Sequence, residues 1–145
     1  MIYLTQAEAD ALRKMEKVYM GKEYFSFPDL GGRIAVPLFS KDQKEEFVLD
    51  VRRSQIALKH TLQNRARKTV ILVRLDIGGA PHRNPDGEEV PCPHIHLYRE
   101  GFGDKWASAL PNEFSQPDDI WRTLGEFMRF CRIVKEPNIH KGLLT

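Results

Sequence analysis

The sequence predicts an α+β domain: an N-terminal helix, an antiparallel meander of about five strands, and a C-terminal amphipathic helix packed on one face of the sheet. Three observations carry this expectation. Thr5-Gln6-Ala7-Glu8 is a capping box ahead of an apolar stripe. Short runs between residues 33 and 99 alternate at period two, and Ile120, Trp121, Leu124, Phe127, Met128 and Cys131 share one helical face.

The first helix starts where the Thr5 hydroxyl can accept from the Glu8 amide while the Glu8 carboxylate reaches back. Leu12, Met15 and Tyr19 continue at helical spacing and Gly21 supplies a stop, so a helix of about 15 residues is expected. Gly31-Gly32 turns the chain into a strand over 33–39, which Pro37 pushes toward an edge or a bulge. Phe47, Leu49 and Val51 alternate with Val48, Asp50 and Arg52, and Ile56, Leu58 and Leu62 resume the alternation after a tight connection. Residues 68–77 and 93–99 are the remaining strands, and the short connections favour antiparallel pairing. Ser115 or Asp118 can cap the last helix, with Asp118 and Asp119 at its positive end. Pro137 bars continuation, and 138–145 read as a tail.

At 145 residues, 41% hydrophobic and 29% charged, the chain fits one globular domain and not a disordered segment. A net charge of +2 makes a whole-molecule attraction to nucleic acid weak, so any such role must come from local clustering. Cys92 in a loop and Cys131 in a helix do not make a disulfide scaffold. The opening Met-Ile-Tyr-Leu-Thr-Gln has no secretory pattern, and no apolar run reaches the roughly 18 residues of a membrane span. A cytoplasmic chain without a membrane partner is expected.

The sheet faces organise the chemistry. With Phe47, Leu49, Val51, Ile56, Leu58, Leu62, Ile71, Val73, Leu75, Ile95 and Leu97 toward the helices, the other face is polar. It would carry Asp50, Arg52, Lys59, Thr61, Gln63, Lys68, Arg74, Asp76, His94, His96 and Tyr98, while His60 falls on the wrong parity. Imidazoles move protons near neutral pH, and Arg and Lys hold phosphates. This is the inventory of a metal-independent ribonuclease, in which a base activates a 2′-hydroxyl and an acid protonates the leaving oxygen. His94 and His96 are the candidate acid and base, with His82 of the long 78–92 loop as a partner. Arg52, Lys59, Arg65 and Arg74 are the candidate phosphate holders, and no cofactor is required. A charged face that does no more than meet water accounts for the same residues.

His94-Ile95-His96 also admits a metal, because residues i and i+2 of a strand point the same way and Cys92 shares their parity. The signal for a Cys92, His94 and His96 centre is weak, since CxxC and HExxH spacings are absent. Arg65-Ala66-Arg67-Lys68 with Arg52-Arg53 forms a basic patch able to contact phosphates, without an aromatic motif for stacking bases. Gly101-Phe102-Gly103-Asp104-Lys105-Trp106 reads as a bend with Phe102 and Trp106 over an edge of the core, and not as a nucleotide fingerprint.

Gln63-Asn64-Arg65, the strand over 67–79, Pro81-His82-Arg83-Asn84-Pro85-Asp86-Gly87 and Pro93-His94-Ile95-His96-Leu97-Tyr98-Arg99-Glu100-Gly101 resemble a small bacterial and phage family known only as a domain of unknown function. The resemblance spans most of the chain, from Leu4-Thr5-Gln6 to the aromatic C-terminal helix. It implies no reaction, but a setting of prophages and mobile elements where small ribonuclease toxins and protein-binding inhibitors both occur. The leading expectation is a toxin-like endoribonuclease acting on single-stranded RNA. The alternatives are a non-enzymatic binder of a protein partner, such as an antitoxin or a host complex, and a metal-binding protein.

Overall fold

The computed structural model describes residues 3–56 and 59–141. Helix α1 (Gln6–Lys14) opens on the expected box: the Glu8 amide donates to Thr5 Oγ1 at 3.1 Å and the Thr5 amide to Glu8 Oε1 at 3.1 Å. It ends well before Gly21. Met15 turns extended, and the fully buried Lys17 points its ammonium at the carbonyls of Arg13, Met15 and Cys131, 2.7–3.0 Å away. Those carbonyls lie at the C-terminal ends of both helices, where acceptors lack helical partners. A buried cation is tolerable there because it meets three of them.

After α1 come β1 (Lys17–Val18), β2 (Tyr24–Ser26), β3 (Arg33–Ser40), β4 (Glu46–Arg53), β5 (His60–Ala66), β6 (Val70–Ile77), β7 (His82–Arg83), β8 (Glu89–Val90), β9 (His94–Leu97) and β10 (Ala107–Ala109). The chain closes with α2 (Ile120–Phe130), β11 (Ile133–Lys135) and β12 (Asn138–His140). The main sheet has eight strands in the order β10-β9-β6-β5-β4-β3-β1-β11. From β3 to β10 it is the expected antiparallel meander, with the small β7–β8 hairpin inserted before β9. The sheet is larger than expected and mixed, because β11 joins β1 in parallel. Pro37 is accommodated on the open side of β3, which β1 meets only at Phe39 and Ser40.

The core lies between the sheet and the two helices. Phe47, Leu49, Val51, Leu62, Leu75 and Ile95 meet Leu12 of α1 and Leu124 and Phe127 of α2 in one cluster. Five expectations need correction. Ile56 is 72% exposed, outside any strand, and Leu58 lies outside the described residues. A bulge at Asn64/Arg65 sets Ile71 opposite Arg65, half-buried, while Leu72 and Val73 are both buried. Tyr98 is buried, its hydroxyl donating to the Leu4 carbonyl at 2.7 Å and accepting from the Leu4 amide at 2.9 Å. Residues 138–140 form a strand beside β2, and 142–145 of the expected tail are outside the described residues. Asp119, and neither Ser115 nor Asp118, caps α2 by accepting from the Arg122 amide at 3.2 Å. Among the described residues no helix is long and apolar enough to cross a membrane.

Candidate active site

Period two on β6 and β9 puts Arg74, Asp76, His94 and His96 on the sheet face away from the helices, and the register sets Asp76 opposite His94 and Arg74 opposite His96. That face would ordinarily be wet. His94 and His96 are instead 2% and 0% exposed, because the β7–β8 hairpin folds back over them. Asn84 ties it down: its side-chain amide donates to the Ala107 carbonyl at 3.0 Å and accepts from the Ala107 amide at 2.8 Å. His82 closes the lid, its Nε2 donating to the Lys105 carbonyl at 2.7 Å and its ring edge-on to His96 with centroids 4.6 Å apart.

Under that lid five charged or titratable side chains interlock. Arg74 donates to Asp104 Oδ2 at 2.7 Å and to Asp76 Oδ2 at 3.2 Å, and its guanidinium stands 3.1 Å from His96 Nε2. His96 Nδ1 donates to the Asp104 carbonyl at 2.7 Å, and its Nε2 lies between the Arg74 guanidinium at 3.1 Å and Asp76 Oδ2 at 3.2 Å. His94 Nε2 stands 3.2 Å from Asp76 Oδ2, with Nδ1 near the Pro91 carbonyl and Cys92 Sγ at 3.3 and 3.5 Å. Thr61 Oγ1 donates to the other Asp76 oxygen at 3.3 Å. Burial would raise the Asp76 carboxyl, but His96, Arg74 and His94 together hold it well below the usual carboxylate range. Burial pushes the His94 imidazole down, against the pull of Asp76. Burial likewise raises the Cys92 thiol, which makes it a poor nucleophile.

The cluster forms one wall of an open pocket of about 380 Å³ whose other walls include Arg52, Lys59, His82 and the Gly78–Pro81 turn. The pocket brings together His82, His94, Arg52, Lys59 and Arg74 of the expected set. His96 is fully buried behind the wall and does not line the pocket. Arg65 is drawn away, its guanidinium closing on Asp50 at 2.7 and 3.1 Å. Cys92 faces Nδ1 of His94, the far side of the ring from Asp76, so it does not converge with the two Nε2 atoms. Asp104 went unforeseen as a site residue. Gly101 and Gly103, at φ +82° and +64°, bend the chain after β9 and deliver its carboxylate and carbonyl to the cluster. Phe102 and Trp106 meet edge-on in that bend at 5.8 Å, but Phe102 is 41% exposed and neither ring packs on the core, whose edge they were expected to cover.

Fold and site therefore define an α+β protein with a covered histidine–carboxylate–guanidinium cluster beside a cationic pocket. The chain belongs to DUF6978, a family of unknown function, whose model matches residues 4–133. No curated protein matches it, and no solved structure does.

Proposed function

We propose that the chain acts on RNA as a toxin-like endoribonuclease, holding a backbone phosphate in the pocket and cleaving beside it without a metal. The observation that carries this reading is the convergence of Arg52, Lys59 and Arg74 with the His82 and His94 rings on one pocket. Arg74 is neutralised by its two carboxylates, so Arg52 and Lys59 are the phosphate holders. His82 is half-buried and its Nε2 donates to Lys105, which leaves Nδ1 as the lone-pair nitrogen. It accepts the 2′-hydroxyl proton as the 2′-oxygen bonds to phosphorus. The bond from phosphorus to the 5′-oxygen breaks, and that oxygen takes a proton from Lys59, since an arginine cannot give one up. The products are a 2′,3′-cyclic phosphate and a 5′-hydroxyl. Asp76, His94, His96 and Arg74 position the wall. The cytoplasm, the prophage setting and any antitoxin partner belong to this same reading.

Purified protein incubated with mixed RNA in EDTA tests it. Cleavage to cyclic-phosphate ends, slowed at least a hundredfold by His82→Ala, is expected. An RNA pool that stays intact removes the reading.

A divalent metal at Asp76, His94 and His96 is the second reading. Both Nε2 atoms stand 3.2 Å from Asp76 Oδ2, and the three ligand atoms lie within 4.8 Å of one another. Carbonyls face both Nδ1 atoms, an orientation common among metal-bound histidines. Arg74 weighs against it, because its guanidinium already stands 3.1 Å from His96 Nε2 and puts a fixed positive charge where the ion would sit. Titration of metal-free protein with Co²⁺ decides: visible absorption lost in His94→Ala supports a metal, and no uptake removes it.

A further inference from the structure

The strand register aligns more than the cluster. Arg33 pairs with Arg52, Arg52 with Thr61, Thr61 with Asp76, and Asp76 with His94, one straight row across five neighbouring strands. At about 4.8 Å per strand the row runs roughly 19 Å from Arg33 to His94. Its Arg33 end is held at an electrostatic cost. Two arginines directly opposite each other on adjacent strands repel, and cross-strand partners are ordinarily of opposite sign. Among the described residues neither guanidinium forms an ion pair with a carboxylate, and Asp50 beside them is taken by Arg65. An anion between Arg33 and Arg52 removes the repulsion.

The surface along the row is concave. The pocket at His82 adjoins two more hollows, of about 390 and 240 Å³, and Arg52 and Thr61 line all three. Lys59 lies between the first two and Arg33 lines the third. Among the described residues no Phe, Tyr or Trp lines these three hollows, so a bound polymer would be held chiefly by its phosphates and not by stacked bases.

We infer that this row is the track of a single-stranded nucleic acid, with a second phosphate seated between Arg33 and Arg52 several nucleotides from the one at His82. This rests on the RNA reading for the phosphate at His82. Three cations on the track, Arg33, Arg52 and Lys59, give a salt dependence of log K on log salt with a slope of about −2 for a single strand. Binding is length-dependent and nearly indifferent to sequence.

Anisotropy titrations with fluorescein-labelled deoxyoligonucleotides of two and eight residues, which lack the 2′-hydroxyl and stay intact, test the track. Wild type is expected to bind the octamer with that slope. Arg33→Gln and Arg52→Gln are expected to weaken octamer binding about tenfold and to flatten the slope by about 0.7 each. Arg33→Gln leaves the dinucleotide unaffected, and Arg129→Gln, at an exposed position of α2, changes nothing. Both track arginines are exposed, and circular dichroism verifies that the variants fold. Octamer binding unchanged by Arg33→Gln overturns the track, as does equal binding of a duplex or of a polyglutamate peptide. RNA cleavage insensitive to Arg33→Gln overturns the track while the RNA reading stands. A track confirmed by the octamer in a protein that leaves RNA intact upholds the track and removes the cleavage reading.

Discussion

Asp76→Asn isolates what the buried carboxylate contributes. The substitution keeps the shape and removes the charge that faces Arg74, His94 and His96, each 3.2 Å from Oδ2. Breaking a buried ion pair by removing one partner commonly costs about 3–5 kcal/mol. Two features lower that figure. Arg74 keeps Asp104 at 2.7 Å, and the Asp76 side chain is 23% exposed, so water screens part of the interaction. A loss of about 2 kcal/mol at pH 7 follows, or a fall in Tm of roughly 6 °C for a domain of this size. The pH dependence has a fixed sign. Asp76 is held below its ordinary value of 3.8 in the folded state, so the unfolded chain binds the proton more readily. Its contribution is complete above about pH 4 and is lost as pH falls through the folded-state value. Urea unfolding of both proteins between pH 2 and pH 7 measures this. The gap is expected to be flat from pH 5 to pH 7 and to narrow below pH 4. Equal stabilities at pH 7, or a gap that does not narrow in acid, would refute this account of the cluster.

Other outcomes follow from the same structure. Arg52→Gln removes a like-charge pair and is expected to raise folding stability by about 0.2–1 kcal/mol while weakening oligonucleotide binding, read by urea melts beside anisotropy. Asn84→Ala leaves the Ala107 amide and carbonyl unpaired and costs about 2 kcal/mol. Faster hydrogen exchange over His94–Leu97 would accompany it as the hairpin lid loosens. Lys17→Met strands the carbonyls of Arg13, Met15 and Cys131 and costs about 3 kcal/mol in urea. Burial holds the Lys17 ammonium at about 8, below its ordinary 10.5, so wild-type stability gains from this group as pH rises between those values. The variant lacks that gain.

Much of the site's geometry was legible in the chain. Period-two alternation on 70–77 and 94–97 already put Arg74, Asp76, His94 and His96 on one face, because a strand's side chains can only alternate. The capping box and the apolar stripe of 120–131 likewise marked both helices through local chemistry alone. Lys17 defeated the periodicity at the end of α1. Its spacing fits a helix, but the fate of its ammonium depends on Cys131, 114 positions away.

What tertiary structure alone decided is whether the histidine strand meets water. The sequence determined that His94 and His96 point away from the helices. Only the hairpin anchored by Asn84 on Ala107 buries them, and only the bend at Gly101 and Gly103 brings Asp104 to Arg74. In the same way Arg33 and Arg52 become opposed through the register of β3 on β4. Register and long-range closure join residues far apart in the chain, and no local pattern of side chains encodes those distances.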